Sequence, residues 1–397
     1  TAGALGDRIG AKRVFIGGFA VFTIASLGCA LAPDLGILIA ARAVQGIGAA
    51  ILVPNSLALL NHAYRQPAER GRAVGFWAAG ASLALTAGPL VGGALIALTG
   101  WRATFLVNLP IGLFGLFLAW RYASETPRAE NREVDLPGQA GAILSLGLAA
   151  AAIIEAGTLG WTNLFVVGGL AAAILVGALF VMRERHAAQP MLPLNLFSER
   201  MFSLAALIGV LVNAAFYGLI FVLSLYFQRL NGWSPFITGL AFLPMMGIVL
   251  PVNIIAPRVS ERIGAPIVIA IGAAVAAIGA FALLIIARGM SYWAICAQLV
   301  ALGGGLGLVV PPLTSMLLGS VDKTYSGVAS GVLNSARQTG SVIGVALFGA
   351  FVSEQGDFMS GMHIALMVSG GLLIVSTVLA LWGRKAVATA KMQHSPA

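Results

Sequence analysis

The sequence predicts an all-α integral membrane protein: two pseudo-symmetric helical bundles plus an inserted helix pair, with twelve transmembrane helices in this chain. Three observations carry that expectation. Of 397 residues, 59% are hydrophobic and only 9% charged, and a soluble protein cannot hide so much apolar surface from water. The apolar residues gather in twelve runs near or above the ~20 residues that cross the hydrocarbon core of a bilayer. A charged loop also occurs twice, 254 positions apart, as Gly3-Ala4-Leu5-Gly6-Asp7-Arg8-Ile9-Gly10-Ala11-Lys12 and as Pro257-Arg258-Val259-Ser260-Glu261-Arg262-Ile263-Gly264-Ala265-Pro266.

The runs lie at about 14–32, 36–60, 73–98, 103–121, 138–157, 163–182, 202–228, 235–256, 267–287, 292–319, 327–350 and 363–382. Several exceed the minimum, so tilt or extension into the headgroups is expected. The 50 glycines fit this reading, because small residues let helix backbones approach closely in lipid. Orientation follows from Lys and Arg. One set of alternate loops holds 18 of them, the other only Arg102, Arg229 and Arg288, while Arg42 and Arg337 fall inside runs. The positive-inside bias puts the first loop and the C-terminus in the cytoplasm.

Several classes are excluded or disfavoured. The net charge of +9 is scattered through short loops, so it is not a nucleic-acid footprint. Cys29 and Cys296 lie in apolar runs and suggest no disulfide framework. No cleavable signal peptide is visible. A Gly-x-x-x-x-Gly-Lys-Ser/Thr loop is absent from the sequence, so ATP is not expected to drive this chain directly. Neither a His/Cys cluster at metal spacing nor a Ser/His/Asp set occurs. We therefore expect no metal, no cofactor and no enzyme.

The repeat extends beyond the loops. Gly46, Gly48 and Pro54 align with Gly303, Gly305 and Pro311 at a shift of 257, and Ala73, Gly75, Gly88 and Gly93 with Ala329, Gly331, Gly344 and Gly349 at a shift of 256. Two runs precede the second loop copy, none precedes the first, and the chain opens on Thr1. The expectation is a fourteen-helix parent, built as six, an inserted pair and six, whose first two helices are absent here. Residues 1–121 would form the N-terminal bundle, 122–200 a linker with the inserted pair at 138–182, and 201–397 the C-terminal six-helix bundle with a cytoplasmic tail. Duplication of this kind suits alternating access of two bundles to a midplane site, which is how secondary transporters are built. It argues against a receptor or a structural membrane protein.

Read from its residues, Gly3 to Arg13 is a tight cytoplasmic turn. Gly10 can take backbone angles that other residues avoid. Asp7 can neutralise Arg8, Lys12 or Arg13, or accept from N–H groups at a helix start. The segment resembles the signature loop of the major facilitator superfamily, which implies a latch that shuts the cytoplasmic side and opens during transport. A turn that merely fixes topology is the alternative. Glu261 and Arg262 stand in the second copy of this loop.

Leu38 to Ala50 resembles the fourth-helix motif of the same superfamily. Arg42 lies ~10 Å below the outer end of its helix, at 1.5 Å per residue. A cation there is costly and faces a water-filled path or a partner, unless it snorkels to the headgroups. Within the resemblance this Arg assists proton movement, and Gln45 and Gly46 belong to the motif. Ala84 to Gly93 resembles the fifth-helix motif of exporters, with Ala84 where the family often has Gly. Pro89 removes the bond to the Leu85 carbonyl, and Gly88, Gly92 and Gly93 leave a smooth face for a moving neighbour or for ordinary small-residue packing. Gly100 to Gly112 resembles the sixth-helix signature of fourteen-helix drug:proton antiporters of the methylenomycin-resistance type. Trp101 suits an outer-interface anchor.

Two stripes are candidates to line a cavity. Asn213, Tyr217, Phe221, Ser224 and Gln228 share a face of run 202–228. Asn334, Gln338 and Ser341 share a face of run 327–350, with Arg337 at its edge. Such stripes turn inward or towards another helix, so interhelical hydrogen bonding is an equal reading. Glu155, the only acid inside a run, lies near an outer helix end and suits solvation. His363 suits an interface position. By the resemblance, the proton-carrying carboxylate lies on the first helix, which is absent here. The expected function is export of a small amphipathic compound in exchange for protons, by a monomer in the lipid bilayer. The alternatives are a proton- or solute-coupled importer, or an exporter of anionic metabolites held by Arg42 and Arg337.

Overall fold

Apolar runs of this length satisfy their backbone polar groups in lipid only by forming helices. All twelve fall on helix in a computed structural model, which describes residues 2–64, 66–126, 135–187, 190, 192, 194–286, 290–321, 326–352 and 357–393. The first six elements are α1 (Ala2–Ile9), α2 (Ala11–Leu31), α3 (Leu35–Ala63), α4 (Pro67–Thr99), α5 (Ala103–Leu106) and α6 (Asn108–Tyr122). The inserted pair is α7 (Leu136–Leu159) and α8 (Leu164–His186). Then come α9 (Arg200–Leu225), α10 (Pro235–Ala241), α11 (Leu243–Ile263), α12 (Ala265–Ala282), α13 (Trp293–Leu318), α14 (Ser326–Phe351) and α15 (Phe358–Gln393). Among the described residues, ten stretches are long and apolar enough to cross a bilayer. The other two expected runs are covered by α4 and α14, of 33 and 26 residues.

The differences from the sequence reading have local causes. Both copies of the charged loop are helical to within one residue. Gly10 (φ 103°) separates α1 from α2, and Gly264 (φ 91°) separates α11 from α12. A glycine at positive φ ends one helix and begins the next without a Cβ clash. Run 103–121 breaks at Val107, and run 235–256 breaks at Phe242. In each case a proline three residues beyond the break or two (Pro110, Pro244) cannot donate to the carbonyl four residues back. Helix α9 ends in a π-helical turn, Tyr226–Leu230, before Gly232 at φ 67°.

The chain forms two compact units. Unit 1 is Thr1–Leu136 with Ser234–Leu240. In it α2 and α3 approach closely at Gly18 and Gly48: a Cβ on Gly48 would lie 2.6 Å from the Phe22 backbone nitrogen and 3.0 Å from the Gly18 carbonyl. Helix α6 meets α2 where Gly112 faces Thr23 and Gly115 faces Phe19. Ser234–Leu240 packs on α4, with Gly239 against the Pro89 carbonyl and Gly93 against Pro235 and Phe236.

Unit 2 is Pro137–Trp233 with Ala241–Ala397. Helices α9 and α14 are joined where Gly340 meets Val210 and Gly344 meets Ala214. Gly272 and Gly305 bring α12 against α13, and Gly303 brings α13 against Met245 of α11. The inserted pair packs through Gly169 on Ala152, and the Ser145 hydroxyl donates to the Ala173 carbonyl at 2.9 Å. Gly157 of α7 reaches Ala350 of α14. At one end of the unit, Trp233 stacks on buried Phe227 (4.9 Å, 3°), and the Tyr292 hydroxyl donates to the Ala241 carbonyl at 3.0 Å. The contact Gly18–Gly48 of unit 1 and the contact Gly272–Gly305 of unit 2 correspond at shifts of 254 and 257. The duplication read from the loops is thus repeated in helix packing.

Candidate functional site

Three clusters hold many of the residues that the sequence singled out. The first lies in unit 1, where α2, α3 and α6 converge. Helix α3 starts at Asp34, whose carboxylate accepts from the Ile37 N–H at 2.9 Å, a side-chain cap on an otherwise orphan donor. Two turns in, Arg42 Nη1 donates to Gln45 Oε1 at 2.6 Å. Its guanidinium lies 5.7 Å from the Phe105 ring centroid, within cation–π range. Gln45 is only 2% exposed, and its Nε2 donates to Ser26 Oγ of α2 at 2.6 Å. Ser26, fully buried, donates to the Phe22 carbonyl at 2.7 Å. Asn108 Nδ2 of α6 approaches the same hydroxyl at 3.4 Å, and the Cys29 thiol approaches Gln45 Oε1 at 3.8 Å. Arg42 therefore has a built partner at its depth in the apolar helix. Arg102 is different: it stacks over Trp101 (4.4 Å) and donates to the Ala32 carbonyl at 3.0 Å, tying two helix ends together.

The second cluster is the charged turn. The start of α2 is capped from the segment after α6. Glu125 Oε1 accepts from the Lys12 N–H at 3.0 Å, and Thr126 Oγ1 accepts from the Ala11 N–H at 2.9 Å. A carboxylate at a helix N-terminus is favourable there. Arg13 Nε lies 3.6 Å from Glu125 Oε2, and Lys12 Nζ donates to the Trp120 carbonyl at 3.0 Å. The acceptors seen at the start of α2 are thus Glu125 and Thr126. The Asp7 backbone is in α1, as is that of Gly3; the Asp7 side chain lies outside the described residues. Arg8, Glu261 and Arg262 are exposed.

The third cluster lies in unit 2 at the α9–α14 interface. Arg337 packs its stem against Gly209. Asn213 Nδ2 donates to the Gly209 carbonyl at 2.9 Å, and the Ser341 hydroxyl to the Arg337 carbonyl at 2.9 Å. Gln228 donates to Ser224 at 2.9 Å. These three bonds stay within single helices and do not stitch α9 to α14. Phe221 lies against Gly349, while Asn334 and Gln338, on either side of Arg337, are exposed. On α4, Gly88 and Gly92 have open space where a Cβ would stand, and only Gly93 of that set is packed. Glu155 is exposed and is met by its own helix's Thr158 hydroxyl at 3.2 Å.

Sequence reasoning brought Arg42, Gln45, Arg337, Asn213 and Tyr217 to the fore, and the structure places them in two clusters, one per unit. It missed Ser26, Glu125 and Thr126 as partners. A lone serine in an apolar run was the available signal for Ser26. Among the described residues, no group of three His, Cys, Asp or Glu is arranged to hold a metal ion, and Cys29 and Cys296 are free thiols. The clusters offer fixed cations, neutral hydrogen-bond chains and apolar walls, which suit binding and passage more than bond-making chemistry.

Comparison with known proteins points the same way. The family model described as Major Facilitator Superfamily matches residues 1–345. The chain is 35% identical over 378 residues to a methylenomycin A resistance protein of Bacillus subtilis, covering 95% of this chain and 81% of that protein. It is 37% identical over 370 residues to a methylenomycin A resistance protein of Streptomyces coelicolor, covering 93% and 78%. Among solved structures it is similar in fold to a POT family transporter crystallised with a thioalcohol-conjugated peptide, with a TM-score of 0.71, 14% identity, and 97% and 84% of the two chains covered.

Proposed function

The chain belongs to the major facilitator superfamily, and from that premise we propose that it is a drug-efflux transporter exporting small amphipathic compounds in exchange for inward-moving protons. Its relatives' names, methylenomycin A resistance protein, support efflux of an antibiotic-like substrate. It is a multi-pass membrane protein, working as a monomer in the bacterial inner membrane with its C-terminus in the cytoplasm. Transport is by alternating access. Residues 1–121 and 201–397 act as the moving bundles, and 122–200 supply the linker and the inserted pair. Gly3, Asp7, Arg8, Gly10 and Arg13, with Glu261 and Arg262, latch the cytoplasmic side. Gly46, Gly88, Pro89, Gly92 and Gly93 allow helices to slide. Asn213, Tyr217, Phe221, Asn334 and Gln338 contact the substrate, and Arg337 joins Arg42 in coupling.

One observation carries the reading. Arg42, a permanent cation inside an apolar helix, is held at 2.6 Å by the buried Gln45. Intramembrane charges with a dedicated partner mark ion and substrate pathways. The test is accumulation of a fluorescent cationic dye in cells. Cells expressing the protein hold less dye, an uncoupler abolishes the difference, and Arg42→Ala inserts into the membrane but leaves the dye level of empty cells. Normal export by Arg42→Ala contradicts the role. Two embedded arginines also support a second reading, export of an organic anion. In that case a labelled anion, and not the dye, is depleted.

A further inference from the structure

Three helices of unit 1 converge on a single hydroxyl, and the chemistry of that hydroxyl decides what Arg42 can do. Ser26 Oγ carries one proton. The Phe22 carbonyl, 2.7 Å away, can only accept, so the proton points there. The remaining lone pairs of Ser26 can only accept, and they face the Gln45 amide at 2.6 Å and the Asn108 amide at 3.4 Å. Gln45 must therefore present its NH₂ to Ser26. Its oxygen is left pointing at Arg42, which has donors only, and meets it at 2.6 Å. The amide is fixed from both ends, in a place where Ser26 is 0% and Gln45 2% exposed.

We infer that Ser26 is a positioning residue for Arg42. It anchors the Gln45 amide, and the anchored amide holds the guanidinium in its working place. Without the Ser26 oxygen, the buried Nε2 of Gln45 loses its acceptor. A buried donor left unmet is costly, so Gln45 turns away and Arg42 loses its tether. The inference rests on the proposed role of Arg42 and adds to it a residue that no motif in the sequence marks.

The test uses the purified protein reconstituted in vesicles, with ethidium as the transported probe. Threonine and valine have nearly the same shape and differ in the hydroxyl, so Ser26→Thr and Ser26→Val add the same volume. The Val variant is expected to export about tenfold more slowly than the Thr variant, from the cost of an unmet buried donor. Ser26→Ala, with no added volume, is expected to fall about tenfold below the parent on the same ground. The loss should appear in maximal rate and leave KM for ethidium within about twofold, because Ser26 acts through Arg42 and not on the dye. Gln45→Leu should match Ser26→Ala, and the double variant should be no worse than Gln45→Leu alone, since both lie on one path. Size-exclusion profiles and thermal midpoints in detergent check that each variant is folded.

Equal export by the Thr and Val variants overturns the inference. So does a double variant whose losses multiply, or a defect confined to KM. Arg42→Ala, run alongside, separates the two ideas. Parental export by Arg42→Ala overturns the role of Arg42 and the Ser26 inference with it. Loss in Arg42→Ala with parental rates in Ser26→Ala overturns the inference alone.

Discussion

Adding one methyl group at Gly48 and one at Gly46, two residues apart on α3, should have opposite effects on stability. A Cβ on Gly48 would lie 2.6 Å from the Phe22 nitrogen, 2.9 Å from its Cα and 3.0 Å from the Gly18 carbonyl. All three are backbone atoms, so no side-chain rotation can relieve the clash, and α2 must move away from α3. Overpacking of this kind costs about 1–3 kcal/mol. A Cβ on Gly46 has nothing within 4 Å. There the change to alanine removes the helix penalty of glycine and gains up to about 1 kcal/mol. At roughly 2–4 °C per kcal/mol for a unit of this size, Gly48→Ala should melt about 3–10 °C below the parent and Gly46→Ala at or slightly above it. The assay is the fraction of monodisperse protein surviving a heating series in detergent, read by size exclusion. If Gly48→Ala melts no lower than Gly46→Ala, the close α2–α3 crossing is refuted, and with it the packing correspondence to Gly272–Gly305.

Other consequences are open to the same measurement. Glu125→Ala should lower the thermal midpoint by removing the cap on the Lys12 N–H, a loss of about 0.5–2 kcal/mol, while Thr126→Val removes the neighbouring acceptor and costs a similar amount. Gly10→Ala should be worse than either, because the new Cβ meets the Glu125 carboxylate at a φ of 103°, and backbone strain alone adds about 1–3 kcal/mol. Trp233→Leu loses the stack on Phe227 and should cost about 0.5–1.5 kcal/mol beyond the area lost, visible as a lower midpoint with membrane insertion unchanged.

Much of the fold was legible because apolar length and charge asymmetry are properties of single segments. Each of the twelve runs lands on helix, and the two loop copies reappear as two glycine-broken helix junctions. What the sequence concealed was pairing. Ser26 is one small polar residue in α2 with no periodic pattern around it; its meaning comes from Gln45, 19 positions on, and Asn108, 82 positions on. Glu125 lies in a charged linker and reads as solvated, yet it caps a helix 113 positions earlier. Hydrophobic periodicity reports the face of one helix, and cannot say which residue of another helix meets it. The breaks at Val107 and Phe242 were more accessible, since Pro110 and Pro244 carry their cause in the sequence. Arg42 and Arg337 were legible by cost alone, because a cation in an apolar run demands a reason.

Proton-coupled export is tested most directly by drug movement in inside-out membrane vesicles containing the chain, driven only by an imposed pH gradient, acidic inside, with no ATP. Ethidium is expected to accumulate in the vesicles while the gradient lasts and to dissipate part of the gradient when added, and Arg42→Ala vesicles are expected to do neither. Accumulation that proceeds at the same rate with no gradient, or that survives in Arg42→Ala, would contradict it.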